Sequence, residues 1–237
     1  MAKAYIFDVW KVKDFRTLWT VGVLTSSARW LEIIIFSVLT WQWFGDATYA
    51  ALIFALRMIA ISLTGIIFSF VSNHFSGQKI MFWAQATVAV CCLISSICMN
   101  FGKAYGFYSL CALSFLSGAL WSVDFSYRRR MLADTLSVDR VISGISLDVA
   151  SSHATRFFGM LGGGVFLTFF DNSTLFLILA AIYLIACAII IRVQDNAIHS
   201  PKKLTLNEEI YLVIQQAKKS LPILTVILIT PIFNIFA

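Results

Sequence analysis

The stretch HATRFFGMLGGG, residues 153–164, places an arginine and a run of three glycines in an otherwise apolar segment. Arginine is costly in lipid, and glycine is a poor helix former. A membrane helix accommodates both if the glycines let another helix approach and the arginine meets polar surroundings. At helical spacing Gly159 and Gly163 share a face with Asp148 and Arg156. The stretch therefore predicts the middle of a membrane helix with Arg156 turned toward a polar interior, although close packing alone also explains two glycines at this spacing.

The composition of the chain excludes most soluble classes of protein. Of its 237 residues, 59% are hydrophobic and only 13% are charged, about half the charged share of a soluble domain. A hydrocarbon layer about 30 Å thick is crossed by roughly 20 helical residues. We therefore predict an all-α membrane protein, a bundle of six transmembrane helices that occupies residues 17–193. The six segments are 17–43, 47–71, 79–99, 105–127, 140–170 and 173–193.

The basic residues predict the orientation of this bundle, because the inner loops of membrane proteins are rich in Lys and Arg. If the N-terminus is cytoplasmic, Lys103 falls on the outer side, and Arg29, Arg57 and Arg156 lie within spans. We therefore predict that both ends of the bundle are cytoplasmic. The basic residues then on the inner side are Lys3, Lys11, Lys13, Arg16, Lys79, Arg128, Arg129, Arg130, Arg140, Arg192, Lys202, Lys203, Lys218 and Lys219.

Two further regions flank the predicted bundle. Residues 1–16 mix charged and aromatic side chains without a signal-peptide pattern, which is typical of a cytoplasmic segment at the membrane interface. Residues 194–220 contain a capping box, TLNEE from Thr205, ahead of an amphipathic helix. We interpret this region as a cytoplasmic linker between two membrane units, with a calmodulin-type target helix as the alternative. Residues 221–237 are interpreted as the start of a seventh transmembrane helix.

The sequence contains no motif of soluble-enzyme chemistry or of nucleotide binding. Its five cysteines lie in apolar segments, without the spacing of metal ligands or of a disulfide framework. The formal net charge of +6 is explained by the predicted orientation rather than by a nucleic-acid partner. We therefore expect a protein surrounded by lipid, with no enzyme activity, no metal and no cofactor.

Charged residues in the middle of spans are candidates for function, because isolated charges are expensive in a membrane. Arg29 and Glu32 are three residues apart, so they either form a local ion pair or line a water-filled cavity. Ser26 and Ser37 share the face of Arg29, which favours the cavity and makes Glu32 a candidate proton- or cation-coupling carboxylate. Arg57 needs a counter-charge from another helix, and Glu32 is a candidate.

The fourth and fifth spans carry the remaining central charges. Asp124 precedes Arg128 by four residues, which favours a local pair, although polar residues on the same face also suggest a cavity. Asp148 and Arg156 are eight residues apart, roughly 12 Å along a helix, so each needs a partner elsewhere. The predicted substrate or proton pathway consists of Arg29, Glu32, Arg57, Asp124, Asp148 and Arg156.

A faint internal repeat relates the second and fifth spans. RMIAISLTG, residues 57–65, and RFFGMLGGG, residues 156–164, both place an arginine eight residues before a glycine. Such a repeat is expected if the six helices are two triplets of inverted topology.

Three motifs resemble the N-terminal half of major facilitator superfamily transporters, closest to bacterial exporters of drugs and siderophores, such as those of macrolides and enterobactin. GIIFSFVSNHFSGQK resembles the family motif between helices two and three: Gly65 and Lys79 match it, while Asn73 and His74 replace its Asp-Arg pair. SYRRRMLADTL resembles the stretch that follows helix four, whose arginine corresponds to Arg128.

The third motif, TRFFGMLGGG, resembles the antiporter signature of helix five. Its arginine corresponds to Arg156, and Met160 stands in place of its proline. The matching glycines are Gly159, Gly163 and Gly164.

The resemblance implies twelve helices in two six-helix bundles, with substrate bound between the bundles and alternating access to it. We therefore expect proton-coupled efflux of a small molecule across the bacterial inner membrane. The chain would be an N-terminal half or a truncated product that pairs with a second six-helix half or forms a homodimer. The alternatives are an uptake carrier and a non-transporting membrane protein that binds or assembles with a partner.

Overall fold

The computed structural model describes residues 8–71 and 76–193, without the side chains of residues 65–71. Within these ranges the chain forms long helices and no strand. A 3₁₀ turn, Met99–Phe101, follows the third helix. The predicted linker at 194–220 and the predicted seventh segment at 221–237 lie outside the described residues. The helices are α1 (Lys13–Phe44), α2 (Ala47–Val71), α3 (Gly77–Cys98), α4 (Lys103–Thr135), α5 (Val138–Phe169) and α6 (Asn172–Ile190).

The turns between helices are short, and their residues account for several of the boundaries. Ser76 caps the start of α3, and Asp171 caps the start of α6 by accepting a hydrogen bond from the N–H of Thr174. The side-chain hydrogen bond from Thr174 also lowers the pKa of the exposed Asp171 carboxyl. Gly45 ends α1 in a left-handed conformation with φ 65°, and its N–H donates to the carbonyl of Trp41.

The predicted helix ends fall within four residues of the observed ends, except at the end of α4. The sequence predicts an end at residue 127, whereas α4 continues to Thr135. No glycine or proline interrupts residues 119–135, and Arg130 and Asp134 lie 3.9 Å apart on the exposed side of this extension. The placement of Arg128 after the end of the fourth helix is therefore wrong: it lies within α4 and is 1% exposed.

The helices pack most extensively as the pairs α2 with α4, α1 with α5, and α3 with α6. Suppose that α1, α2 and α3 are exchanged with α4, α5 and α6, respectively. The α2–α4 pair then becomes the α5–α1 pair, and the α3–α6 pair becomes itself. Two triplets of inverted topology would give this pattern, although the inverted repeat itself stays a prediction.

Two apolar clusters fill the bundle at its two ends. One contains the second half of α1, from Ala28 to Leu39, with residues of α2, α3, α4 and the start of α6. The other contains Phe15 and Leu18 of α1, with the start of α3 and the ends of α4 and α6. Val9 is also fully buried in this second cluster, so part of the predicted interfacial segment packs against the bundle.

The outer surfaces of the helices carry many exposed large apolar side chains, as lipid-facing helices require. In the described ranges, α1, α2 up to Thr64, α3 with its 3₁₀ turn, α4 and α6 are long and apolar enough to cross a membrane. Helix α5 has 32 residues but is more polar, since it carries Asp139, Arg140, Asp148 and Arg156. The helices are those of a multi-pass membrane protein, while the count of six spans stays a prediction.

Candidate functional site

The first buried polar group is centred on Glu32 and is called here the Glu32 cluster; it consists of Glu32, Arg57, Ser114, Ser117 and Tyr183. Glu32 is fully buried, and its Oε2 accepts hydrogen bonds from Arg57 Nη2 at 2.8 Å and from Ser117 Oγ at 2.9 Å. Its Oε1 accepts one from the hydroxyl of Tyr183 at 2.8 Å. Four helices, α1, α2, α4 and α6, therefore meet at one carboxylate.

The second group is called the Asp124 cluster and consists of Thr25, Arg29, Asp124, Arg128 and Asp148. Asp124 Oδ2 lies 2.7 Å from Arg29 Nη2 and 3.8 Å from Arg128 Nε. Thr25 Oγ1 accepts from Arg29 Nη2 at 3.0 Å. The Nη1 of Arg128 donates to Asp148 Oδ1 on α5. The five residues are all less than one-tenth exposed and form a chain of alternating charge across α1, α4 and α5.

Glycines make room for an arginine in each cluster. A Cβ at Gly118 of α4 would lie 2.6 Å from the carbonyl oxygen of Arg57 and 3.0 Å from its Cγ. A Cβ at Gly22 of α1 would collide with the guanidinium of Arg128. The sequence does not predict a role for Gly22 or Gly118, because nothing in the pattern around them indicates which arginine packs against them.

A small cavity connects the two clusters. It has a volume of about 20 Å³, enough for a single water molecule. Gln85 of α3 lines it and is 3% exposed, yet neither atom of its side-chain amide has a hydrogen-bond partner among the described residues. Asp124 Oδ1 also lacks a partner there. The other lining residues are Thr25, Arg29, Ala84, Val88, Ser117, Leu120, Trp121 and Tyr183.

The structure changes the predicted partners of several charges. Arg29 and Glu32 do not pair with each other, since Arg29 pairs with Asp124 and Glu32 pairs with Arg57. The prediction that Glu32 supplies the counter-charge of Arg57 is confirmed. The local pairing of Asp124 with Arg128 is present at 3.8 Å, but the contact with Arg29 is shorter. Of the predicted polar stripe on α1, Ser26 is buried and hydrogen-bonded to Thr155, whereas Ser37 is exposed.

Arg156 departs from its prediction. It is exposed rather than turned into the bundle, and no carboxylate of the described residues lies within ion-pair distance of it. Its guanidinium carbon lies 4.8 Å from the centre of the Trp30 ring. Asp148 does have the partner on another helix that its spacing demands, Arg128. The repeat that relates Arg57 to Arg156 therefore places the two arginines in different environments.

Of the glycines in the α5 motif, Gly159 and Gly163 pack against α1, whereas Gly164 does not. A Cβ at Gly159 would lie 2.8 Å from Cβ of Trp30, and one at Gly163 would lie 3.1 Å from Cβ of Ile34, so both positions allow α5 to approach α1. A Cβ at Gly164 would meet nothing within 4 Å. The close approach predicted from the glycine spacing is confirmed for the first two.

The loop motif between α2 and α3 is only partly described. Asn73 and His74 lie outside the described residues, and Gly65 lies in the helical backbone of α2. Lys79 is exposed in the first turn of α3, and its N–H donates to Ser76. A role for this loop motif stays a prediction.

The sequence reasoning missed Gln85 and Tyr183, which connect α3 and α6 to the buried charges. Both are polar side chains in otherwise apolar helices, and that signal alone marks such residues as candidates. Within the described ranges no group of three His, Cys, Asp or Glu side chains is placed to hold a metal ion. The arrangement brings buried carboxylates, hydroxyl groups and a cavity large enough for one water molecule together inside the bundle.

The comparisons with known proteins identify one family. The family model described as Major Facilitator Superfamily matches residues 18–237 of the chain. No curated protein matches the sequence of this chain.

Proposed function

Because the chain belongs to the Major Facilitator Superfamily, a family of membrane transporters, we propose that it takes part in secondary active efflux of a small molecule in exchange for protons. Access to the substrate would alternate between the two sides of the membrane as helix bundles rock against each other. The resemblance of three motifs to bacterial exporters supports the outward direction and a place in the bacterial inner membrane.

The observation that carries this proposal is the pair of connected buried charge clusters. Burying charge in a membrane bundle is expensive, so such residues are retained where they act. The clusters contain three carboxylates, Glu32, Asp124 and Asp148, each paired with an arginine from another helix. A proton that neutralises one carboxylate weakens the contact between two helices, which couples protonation to helix movement.

Asp124 is the carboxylate best suited to carry the proton. Both oxygens of Glu32 already accept hydrogen bonds from side-chain donors. Asp124 instead lines the cavity together with Gln85, and its Oδ1 has no partner among the described residues. A proton delivered by a water in this cavity reaches that oxygen without first displacing another hydrogen bond.

The experiment uses the full chain in proteoliposomes loaded with the pH-sensitive dye pyranine. We expect the addition of a transported compound from a panel of small amphipathic molecules to move protons in the opposite direction. Asp124→Asn is expected to abolish this proton movement, while Asp134→Asn, on the exposed side of α4, leaves it unchanged. Substrate flux that is insensitive to a protonophore would overturn proton coupling.

The orientation is tested separately. We propose a cytoplasmic N-terminus, supported by the basic residues that cluster at one end of the bundle. Reporter fusions after Gly45 and after Phe101 are expected to report the outer side, and a fusion after Ser76 the inner side. The reverse pattern would overturn the orientation and with it the direction of transport.

A partner-binding membrane protein without transport is the second candidate. The observation that favours it is the replacement of the family's Asp-Arg pair by Asn73 and His74. Absence of flux under every imposed gradient, together with co-purification of a single partner, would support this candidate over transport.

A further inference from the structure

Six charged side chains lie near the middle of their helices, and all but one are buried in pairs. Arg29, Glu32, Arg57, Asp124 and Asp148 are at most 5% exposed, and each contacts an opposite charge. The sixth, Arg156, is exposed and has no such contact among the described residues. With Arg128 counted as the partner of Asp148, the buried charges sum to zero, so Arg156 leaves one uncompensated positive charge.

Arg156 is held on a platform of tryptophans. Its guanidinium lies over the ring of Trp30 at 4.8 Å, and that ring meets the ring of Trp121 edge-on with centroids 6.0 Å apart. The guanidinium of Arg29 lies 5.4 Å from the Trp121 ring on the buried side. Both tryptophans are half-buried, so part of each side chain remains exposed.

The platform is fixed by helix packing. Gly159, three residues after Arg156, brings the backbone of α5 against Trp30, because a Cβ there would lie 2.8 Å from Cβ of Trp30. Arg29 is in turn held by its ion pair with Asp124. The position of the exposed cation is therefore preorganised, which lowers the entropy cost of binding a ligand there.

This surface is unsuited to contact with hydrocarbon. Arg156 lies 13 residues, about 20 Å along the axis, from the end of α5 at Phe169, and an exposed guanidinium is costly in contact with lipid chains. On α1, the exposed Ser37 and Trp41 lie within about 40° of Trp30 at helical spacing, so the polar and aromatic face continues beyond Arg156. By contrast Phe157 and Phe158, which are 66% and 67% exposed, point to other sides of α5.

We propose that Arg156, Trp30 and Trp121 form a binding site for an organic anion that carries a flat aromatic group. The anionic group pairs with the exposed guanidinium, and the ring packs against the two indoles. A cationic ligand would find no unpaired central carboxylate in the described part of the chain. The inference rests on the proposed function and names the class of its substrate.

The test measures binding without any gradient, using the full chain in nanodiscs of phosphatidylcholine. The probes are 2-naphthalenesulfonate and 2-naphthylmethylammonium, which share a ring and differ in charge. Calorimetry is expected to show saturable binding of the sulfonate only. We expect Arg156→Gln to weaken it at least tenfold, Arg156→Lys to weaken it less, and Trp30→Leu to weaken it while folding is retained.

Arg130→Gln provides the matched control, since it removes another exposed positive charge, at the end of α4, and is expected to leave binding unchanged. Equal affinity for the two probes, or equal losses in Arg156→Gln and Arg130→Gln, would overturn the proposal. A lipid phosphate offers the same anionic chemistry. If phosphatidylglycerol in the nanodisc abolishes sulfonate binding to the wild type, the occupant is a lipid headgroup and the substrate class is wrong.

A negative result in the binding test and a negative result in the proton-flux test contradict different hypotheses. Loss of the anion site leaves proton-coupled transport of another substrate class intact. Absence of proton flux with intact sulfonate binding instead removes the coupling and leaves the site.

Discussion

The Glu32 cluster and the Asp124 cluster bury the same kinds of charge in one bundle, but they use their oxygens differently. Both oxygens of Glu32 accept hydrogen bonds, from three side chains on three helices. In the Asp124 cluster, Asp124 Oδ1 and Asp148 Oδ2 have no hydrogen-bond partner among the described residues. One arginine, Arg128, there contacts both carboxylates.

We infer from this difference that Glu32 has a structural role and that Asp124 carries the proton in the proposed transport. A proton on either oxygen of Glu32 would displace a donor already bound there, so this carboxylate is best read as a fixed junction of α1, α2, α4 and α6. Asp124 can gain a proton on its unpartnered oxygen, and Arg128 still keeps Asp148. We therefore propose Asp124, rather than Glu32, as the proton-coupling carboxylate. The variants below test this distinction.

The largest expected effect comes from Glu32→Ala. It leaves the guanidinium of Arg57 buried without a counter-charge, which costs about 3–5 kcal/mol of unfolding free energy. Denaturation in detergent micelles, followed by circular dichroism, measures the loss. The double variant Glu32→Leu with Arg57→Leu is expected to regain most of it, because no lone charge remains. A double variant as unstable as the single one would argue against a junction held by charge pairing.

Asp124→Asn is expected to cost less than Glu32→Ala, although it too removes the counter-charge of a buried arginine, Arg29. The amide oxygen can still accept from Arg29, and Arg128 retains Asp148. The same denaturation assay applies, with the proton-flux assay beside it. We expect a modest change in stability with complete loss of proton movement. A stability loss as large as that of Glu32→Ala would make the two clusters equivalent and remove the distinction.

The two glycines sharpen the comparison at the level of packing. Gly118→Ala sets a Cβ against the backbone carbonyl of Arg57, which cannot move aside, and is expected to cost about 1–3 kcal/mol. Gly22→Ala meets the guanidinium of Arg128, which is the end of a side chain rather than backbone, and is expected to cost less. Gly164→Ala, with open space around it, gains up to about 1 kcal/mol of helix propensity. Thermal unfolding of the three variants ranks them, and a larger loss for Gly22→Ala would contradict the rigidity assigned to the Glu32 cluster.

The sequence predicts the helices well and their partners less well. Apolar length and turn residues give nearly every helix end, because both are local properties. The face of a charge is also local, but the helix that meets this face depends on packing across the bundle. For this reason the sequence offers Glu32 only as a candidate partner of Arg57. It also does not predict the ion pair between Arg128 and Asp148.

Arg156 is a second residue whose surroundings the sequence does not predict. Its place in a motif with Gly159 and Gly163 predicts a common face, but at helical spacing Arg156 lies about 60° from Gly159. Gly163 lies only about 20° from Arg156 and packs against α1, so the angle along the helix does not account for the exposure of Arg156 beside Trp30. Neither its exposure nor the neighbouring tryptophan pair has a signal in the sequence.

The smallest effect, and the most direct test of the cavity between the clusters, is expected for Gln85→Leu. If a water occupies the cavity, the amide of Gln85 and Asp124 Oδ1 both bind it, and the leucine removes that site and leaves the carboxylate oxygen unpartnered. We expect a loss of about 1 kcal/mol, with slower proton movement in proteoliposomes. Thr87→Val, on the exposed side of the same helix, controls for a polar-to-apolar change and is expected to alter neither. A dry cavity gives the opposite sign: Gln85→Leu would then stabilise the protein by removing a buried amide without partners, and Asp124 would lose its route to a proton.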